Sequence, residues 1–342
     1  MAPPAHVLES GQLVSLPWQP RWPTAAHREH MTVLITGANG FVGSALVEKL
    51  NMGGRDHIGI VRKGSERPGC VVGPLLGATN DWSVLLSNVR TIVHCAARVH
   101  VMQDTSSVPL EAFRVVNVSG SLNLARQAAA AGVGRFVFIS SVKVNGEETR
   151  DGRPFAAGHE PAPEDAYGLS KAEAEAGLKA IAAQTGMELV IIRPPLVYGS
   201  GVKGNFAAMM RAVARGLPLP FGAVTHNRRS LVGLDNLVDL IVTCIDHPAA
   251  ANQTFLVSDG EDLSTADLLR RLGAAMGKPA RLLNIPPALL DAAAALIGKR
   301  AVAQRLLGNL QVDISHTCRT LGWKPPISVH EGLRRAVQGV IR

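Results

Sequence analysis

The sequence has 342 residues, four cysteines and a formal net charge of +8, from 35 basic and 27 acidic residues. A chain of this length buries a substantial core, enough for one large α/β domain with a smaller lobe. The basic residues are scattered and form no Lys/Arg run, which argues against nucleic acid as a partner. Cys70, Cys95, Cys244 and Cys318 have neither CxxC nor metal-ligand spacing, so we expect free thiols, a reducing compartment and no metal site.

Composition divides the chain into three parts. Residues 1–30 contain five prolines and two tryptophans without an apolar period, and they predict a disordered leader. We expect a dinucleotide-binding domain over 31–193 and a mainly substrate-binding lobe over 194–342, with a strand near 254–257 returning to the first domain. The sequence lacks the apolar run of a secretory signal, and the Leu- and Ala-rich stretch 282–298 is too short and too polar to span a membrane. We therefore expect a cytoplasmic protein.

From Met31 onward, short apolar runs alternate with amphipathic segments, the pattern of a parallel sheet covered by helices on both faces. The predicted strands lie near 32–36, 57–62, 90–94, 135–140, 189–193 and 254–257. The predicted helices lie near 41–52, 109–132, 166–185, 206–215, 234–247, 264–277 and 286–307. Right-handed crossovers then give an α/β fold, a doubly wound parallel Rossmann sheet with a smaller mixed C-terminal substrate lobe.

A glycine-rich turn follows the first predicted strand. Gly37 permits a sharp turn, Gly40 lets the backbone approach a pyrophosphate, and Gly43 lets the next helix pack on the strand. The N-terminus of that helix then faces the phosphates. The turn therefore predicts a dinucleotide site, whose further candidate contacts are Asn39, Phe41 and Val42.

The end of the second predicted strand indicates which dinucleotide binds. An acidic side chain at this position accepts the ribose hydroxyls of NAD, whereas this chain has Arg62 and Lys63. Two cations favour NADP(H), with NAD(H) as the alternative.

Tyr167 and Lys171 lie four residues apart at the beginning of a predicted helix, so they share a face. An ammonium beside a phenol favours the ionised phenol, and we therefore expect Lys171 to lower the pKa of Tyr167. Beside a dinucleotide, this pair indicates hydride chemistry on an alcohol or a ketone.

Six short motifs together resemble those of the extended short-chain dehydrogenases/reductases. They are Gly37-x-x-Gly40-x-x-Gly43, His94-Cys95-Ala96-Ala97, Asn117-Val118-x-Gly120, Ser140-Ser141, Tyr167-x-x-x-Lys171 and Arg193-Pro194-Pro195-Leu196-Val197-Tyr198-Gly199. Within that superfamily, the chain is most similar to the NAD(P)-dependent nucleotide-sugar epimerase/dehydratase family. The resemblance is to bacterial enzymes that act at C4 of UDP-N-acetyl-sugars in surface polysaccharide synthesis.

The resemblance implies roles for individual residues. Tyr167 is the proton donor or acceptor, Lys171 also holds the nicotinamide ribose, and Ser141 hydrogen-bonds the reacting oxygen. Asn117 is a supporting residue. Further cofactor contacts are expected at the carboxyl ends of strands, from Ala96, Ala97, Arg98, Pro194 and Val197. The implied substrate contacts are Ser141, Lys143 and Asn145 toward the sugar, with Asn205 and Arg229 toward the diphosphate.

The chain also departs from the family pattern. Gly73-Pro74-Leu75 lacks the acidic residue that meets the adenine, Asn145 replaces an aromatic residue, and Gly233 replaces a histidine. These changes argue against copying the substrate of the galactose epimerases.

Two enzymatic functions fit these residues. Arg62 and Lys63 favour an NADPH-dependent reduction of a UDP-4-keto-6-deoxy-N-acetylhexosamine. The alternative is a UDP-sugar 4-epimerase with tightly bound NAD. A remote alternative, a non-catalytic dinucleotide sensor, would be expected to lack the pair of Tyr167 and Lys171. The resemblance also implies a homodimer through the helices near 109–132 and 166–185.

Overall fold

We describe a computed structural model of the chain over residues 32–99, 109–150, 152–298 and 300–338. The predicted leader over residues 1–30 lies outside these ranges. The strands within them are β1 (Thr32–Thr36), β2 (His57–Val61), β3 (Cys70–Val72), β4 (Val89–His94), β5 (Arg135–Ile139), β6 (Glu188–Arg193), β7 (Leu196–Tyr198), β8 (Leu231–Gly233) and β9 (Gln253–Leu256).

Seven of these strands form one parallel sheet, in the order β3-β2-β1-β4-β5-β6-β9. The strand order reverses at β1, which is the arrangement of a doubly wound nucleotide-binding sheet. The predicted fold class is confirmed, and the structure adds β3 at one edge. At the other edge β9 pairs with β6, with Leu256 opposite Arg193.

The described ranges contain twelve helices, of which some cover the two faces of the sheet and others lie in the C-terminal lobe. They are α1 (Phe41–Met52), α2 (Ser83–Leu86), α3 (Pro109–Phe113), α4 (Ser121–Ala130), α5 (Ala166–Thr185), α6 (Gly204–Ala214), α7 (Leu234–Asp246), α8 (Thr265–Ala275), α9 (Pro287–Leu296), α10 (Arg300–Leu307), α11 (Ser315–Leu321) and α12 (Val329–Val337). A π-helical segment, Arg114–Gly120, joins α3 to α4, and a short 3-10 turn spans Val142–Val144.

The alternation of side chains along β1 divides the core into two layers. Val33 and Ile35 pack with Ile241 of α7 on one face. Leu34 packs with Leu178 of α5 on the other face. All of these side chains are at most 1% exposed, so apolar burial on both faces holds the sheet between its helices.

A further core cluster builds the C-terminal lobe, in which β7 and β8 pair in parallel. The single helix predicted over 286–307 is wrong, because the structure has two helices, α9 and α10. Gly298 adopts a left-handed φ of +67° between them, and its N–H donates to the Ala295 carbonyl at 3.2 Å. This is a common way for a glycine to end a helix.

Candidate active site

The turn between β1 and α1 has no room for side chains at its glycines. An ideal Cβ on Gly43 would lie 2.2 Å from the Gly37 carbonyl oxygen. Gly37 has a φ of +70°, and a Cβ there would lie 2.9 Å from the Cα of Ala96. Gly40 is the N-cap residue of α1, and within the described ranges no side chain caps this helix. The uncapped amides and the close approach of the backbone fit the pyrophosphate of a dinucleotide.

The other predicted residues of this turn contribute differently. Phe41 lies against Gly199, where an ideal Cβ would be 3.6 Å from the ring, and Val42 packs on the core. Their side chains have these neighbours, so a contact of theirs with an anion at the turn would come from their backbone amides. Asn39 donates from Nδ2 to the Ser65 carbonyl at 3.4 Å.

The loop that follows β2 lies beside the glycine-rich turn. Arg62 and Lys63 are exposed at the strand end, as the sequence predicts. Arg67 reaches back and donates from Nη1 to the Ala38 carbonyl at 3.2 Å. Arg67 therefore adds a third cation at the turn. The sequence gives no signal for it, because the loop is polar and has no period.

The segment 96–98, beyond β4, is fixed by hydrogen bonds. The Ala96 N–H donates to Thr36 Oγ1 at 3.2 Å. Buried Asn117 accepts from the Arg98 N–H at 2.8 Å and donates to the Arg98 carbonyl and to Ser170 Oγ, both at 3.0 Å. Asn117 thus ties this segment, which includes Ala97, to α5, in keeping with its expected supporting role.

Lys171 is 1% exposed, and its ammonium donates to the Ile139 carbonyl at 2.8 Å. The same ammonium lies 4.3 Å from the centre of the Phe138 ring. Burial lowers the pKa of Lys171 to about 8. The ammonium is therefore directed at the carboxyl end of β5.

The expected effect of Lys171 on Tyr167 is wrong. Burial raises the pKa of Tyr167, and the negative charge of Asp165 adds to the shift. Asp165 caps α5 by accepting from the Gly168 N–H at 2.7 Å, so its carboxylate is fixed close to the phenol. Tyr167 is therefore a protonated phenol at neutral pH, suited to donating a proton.

Ser140 and Ser141 have different surroundings. The Ser140 hydroxyl is buried and donates to Glu175 Oε1 at 2.5 Å. The Ser141 hydroxyl accepts from the Lys143 N–H at 3.2 Å and lines a cavity. Pro194 holds this turn, because its carbonyl accepts from the Val142 N–H at 3.0 Å. The geometry thus leaves Ser141 as the serine that faces a ligand.

A cavity of about 380 Å³ lies between the sheet and the C-terminal lobe. Apolar side chains form much of its wall, among them Leu196, Met209, Leu231 and Leu310. Six predicted site residues line it together: Ser141, Lys143, Tyr167, Val197, Asn205 and Arg229. The cavity therefore joins the proton-transfer groups to residues expected at a diphosphate.

Two guanidinium groups reach this cavity. Arg229 donates to the Gly308 carbonyl at 3.1 Å, and burial lowers its pKa to about 10. Arg305 of α10 also lines the cavity, and its positive charge further lowers the pKa of Arg229. Such a pair of cations fits a polyphosphate. Arg305 lies inside a stretch predicted as a continuous helix, where nothing distinguishes it from a surface arginine.

Two predicted sugar contacts have other partners. Asn145 is 4% exposed, accepts from Arg193 Nη1 at 3.1 Å and donates to the Ala156 carbonyl at 3.3 Å. It does not line the cavity, contrary to the prediction, because the buried Arg193 takes its side-chain oxygen. Lys143 does line the cavity, and its ammonium pairs with Glu147 at 2.5 Å and with Asp165.

None of the helices in the described part of the chain is long and apolar enough to cross a membrane.

The fold and the site are those of an enzyme with a dinucleotide-binding turn and with Tyr167 and Lys171 on one helix. Residues 33–258 match the sequence profile of the NAD dependent epimerase/dehydratase family. The chain belongs to this family, which confirms the predicted enzyme class and a nicotinamide dinucleotide as its cofactor.

Similar proteins and solved structures are consistent with this family membership. A UDP-glucose 4-epimerase of Vibrio cholerae is 51% identical over 315 residues, which cover 91% of this chain and 96% of that enzyme. The crystal structure of UDP-glucose 4-epimerase from Thermotoga maritima with UDP-glucose has a TM-score of 0.72 and 21% identity, covering 91% of this chain and 98% of that one. The Bordetella bronchiseptica enzyme WbmG, in complex with NAD and UDP, has a TM-score of 0.71 and 20% identity, covering 92% and 95%. The two structural likenesses show a shared fold.

Proposed function

We propose that the protein is a UDP-sugar 4-epimerase that holds NAD through its turnover. One observation carries the proposal: one cavity is lined by Ser141 and Tyr167 together with the two arginines Arg229 and Arg305. The 51% identity to the Vibrio cholerae enzyme over nearly all of both chains supports epimerisation rather than net reduction. Following the family resemblance, we propose that the product of the enzyme is used in surface polysaccharide synthesis.

The residues divide the work between binding and proton transfer. The glycine-rich turn and the N-terminus of α1 hold the pyrophosphate of the cofactor, and the Lys171 ammonium holds its nicotinamide ribose. A nicotinamide dinucleotide bound there supplies the hydride acceptor and donor for C4. Arg229, Arg305 and Asn205 hold the diphosphate of the substrate, which leaves the sugar beside Ser141 and Tyr167.

The chemistry at the sugar is proton transfer to and from the C4 oxygen. When C4 is oxidised, the ionised form of Tyr167 takes the hydroxyl proton, and Ser141 donates a hydrogen bond to the oxygen. When C4 is reduced, the Tyr167 phenol returns the proton to the developing alkoxide. Because burial and Asp165 favour the neutral phenol, the reductive half is the easier direction for this residue.

The cations beside the glycine-rich turn favour a second candidate. An NADPH-dependent 4-keto reductase acting on a UDP-4-keto-6-deoxy-N-acetylhexosamine needs a neutral phenol and a site for the 2′-phosphate. Arg62, Lys63 and Arg67 suit that phosphate. Glu66, whose carboxylate accepts from the Gly64 N–H at 2.8 Å, offers NAD a carboxylate in the same loop.

The two functions differ in what the purified protein carries. Denaturation releases any bound nucleotide for identification. The protein is then incubated with UDP-glucose and UDP-N-acetylglucosamine, and separately with NADPH and a UDP-4-keto-6-deoxy sugar. Stoichiometric NAD and formation of the C4 epimer support the epimerase. An empty site and consumption of NADPH support the reductase, and failure of both reactions contradicts the proposal.

The homodimer implied by the resemblance, formed through α4 and α5, is part of the proposal. Analytical ultracentrifugation of the purified protein tests it, and a purely monomeric species would contradict it.

A further inference from the structure

α9 exposes apolar side chains over most of its surface, and only Leu290, Asp291 and Ala294 are half-buried. None of its residues is buried, and Asp291 is its one charged residue. Leu289 is 61% exposed and Leu296 is 88% exposed, and the apolar surface continues to Ile297, at 67%. On the N-terminal side it continues to Leu283, at 50%. We refer to residues 283–297 as the apolar segment.

Such a surface requires an explanation. A helix that is apolar on all sides is normally buried in a protein core or in a membrane. Soluble proteins rarely leave contiguous apolar surface of this kind uncovered unless it is an interaction site. With ten residues α9 is about 15 Å long, too short to cross a bilayer. The segment is therefore suited to lying against a partner surface.

The charge around the apolar segment indicates which partner. Residues 278–300 contain four basic residues and one acidic residue, Asp291. Arg281 is exposed, and Arg300 is 76% exposed with a long contact of 3.8 Å to Asp291. The segment thus combines exposed leucines with an excess of positive charge, within a chain whose net charge is +8.

We propose that the apolar segment docks the protein on the surface of an anionic lipid bilayer. α9 would lie in the interface, with its leucines at the boundary of the acyl chains and the flanking arginines among the anionic headgroups. A second copy of the chain fits less well. A two-fold contact would bring the same basic flank against itself, which the repulsion of like charges disfavours.

The apolar segment lies outside the cavity, although the helix that follows it, α10, lines part of the cavity. Leu289, Leu296 and Ile297 do not line the cavity, whereas α10, which begins at Arg300, contributes Arg305 and Leu306 to its wall. Binding of the apolar segment to a bilayer would therefore hold the enzyme at the membrane without changing the residues that line the cavity. Substitutions in α9 are expected to leave turnover in solution unchanged.

Vesicle flotation with the full-length protein tests the proposal. We expect the protein to float with vesicles of phosphatidylcholine and phosphatidylglycerol, to bind vesicles of phosphatidylcholine more weakly, and to lose the difference at high salt. The double variant Leu289→Glu/Leu296→Glu should weaken binding by at least about tenfold, since each leucine loses its burial. Arg281→Ala should weaken binding to the anionic vesicles alone.

Val84→Glu is the matched control, because Val84 is 86% exposed on α2, away from the segment. It should bind vesicles like the unsubstituted protein. The proposal is overturned if the unsubstituted protein does not float with anionic vesicles, or if Val84→Glu weakens binding as much as the double variant. It is also overturned if the double variant dissociates an oligomer and leaves vesicle binding unchanged, which would make the segment a contact between copies. Circular dichroism and turnover in solution confirm that each variant is folded.

Discussion

Glu175→Gln removes the negative partner of a buried ion pair between α5 and β6. Glu175 and Arg193 have side chains that are each 2% exposed, and two hydrogen bonds of 2.6 and 3.0 Å join them. Glu175 also accepts from the Ser140 hydroxyl, so the pair connects α5, β6 and the end of β5. The substitution keeps the shape of the side chain and leaves the guanidinium of Arg193 buried without its counter-charge.

The size of the effect follows from that stranded charge. Breaking a buried ion pair by removing one partner lowers the free energy of unfolding by about 3–5 kcal/mol. At roughly 2 °C per kcal/mol for a large domain, the melting temperature should fall by about 6–10 °C. The pKa of Lys171 should fall further, because the charge of Glu175 raises it.

Denaturant unfolding and thermal melts measure the change, with Glu173→Gln as the matched control. Glu173 lies two residues earlier on α5 and pairs with Arg114 at a partly exposed surface, where the side chains are 30% and 38% exposed. Loss of that pair should lower the free energy of unfolding by less than about 1 kcal/mol. If Glu175→Gln is no more destabilising than Glu173→Gln, the reasoning about the buried pair is refuted.

Three further predictions concern the cofactor and the substrate. Gly43→Ala should abolish copurification of the nucleotide, because its Cβ would lie 2.2 Å from the Gly37 carbonyl oxygen, whereas Gly53→Ala, with its Cβ 3.5 Å from the nearest atom, should retain it. Arg229→Ala should weaken binding of UDP by roughly 10- to 100-fold in calorimetry, whereas Arg228→Ala should not, since Arg228 is exposed and outside the cavity. The affinity for the cofactor should be constant below about pH 8 and fall by up to about tenfold per pH unit above it, as Lys171 loses its proton. Fluorescence titration across this range measures that affinity, and a constant affinity would contradict the role given to Lys171.

The longer strands and helices could be predicted from the sequence, because they follow from the spacing of its apolar residues. Six of the strands in the main sheet can be recognised as apolar runs in the sequence. β3, β7 and β8 have three residues each and are too short to form a recognisable apolar run. Helix α12 is absent from the predicted elements, although the sequence carries a signal for it. Ser328 caps that helix by accepting from the Glu331 N–H, and Val329 and Leu333 give the helical spacing.

The site was predictable where its chemistry follows from local spacing. The turn Gly37-x-x-Gly40-x-x-Gly43 and the four-residue spacing of Tyr167 and Lys171 are of this kind. The pKa of Tyr167 could not be predicted in this way, because it depends on the burial of the phenol and on how Asp165 is oriented as the cap of α5. The burial of Asn145 is equally hidden from the sequence, since its partner Arg193 is 48 residues away.

Tyr167→Phe tests the central claim most directly, because it removes one hydroxyl and leaves the ring and its contact with Phe113 in place. The variant should retain the bound nucleotide and bind UDP like the unsubstituted protein. Its turnover of the UDP-sugar should fall by about 10²-fold or more, as expected when a proton-transfer group is lost. Turnover of Tyr167→Phe at the rate of the unsubstituted protein would contradict the assignment of this phenol to proton transfer at C4.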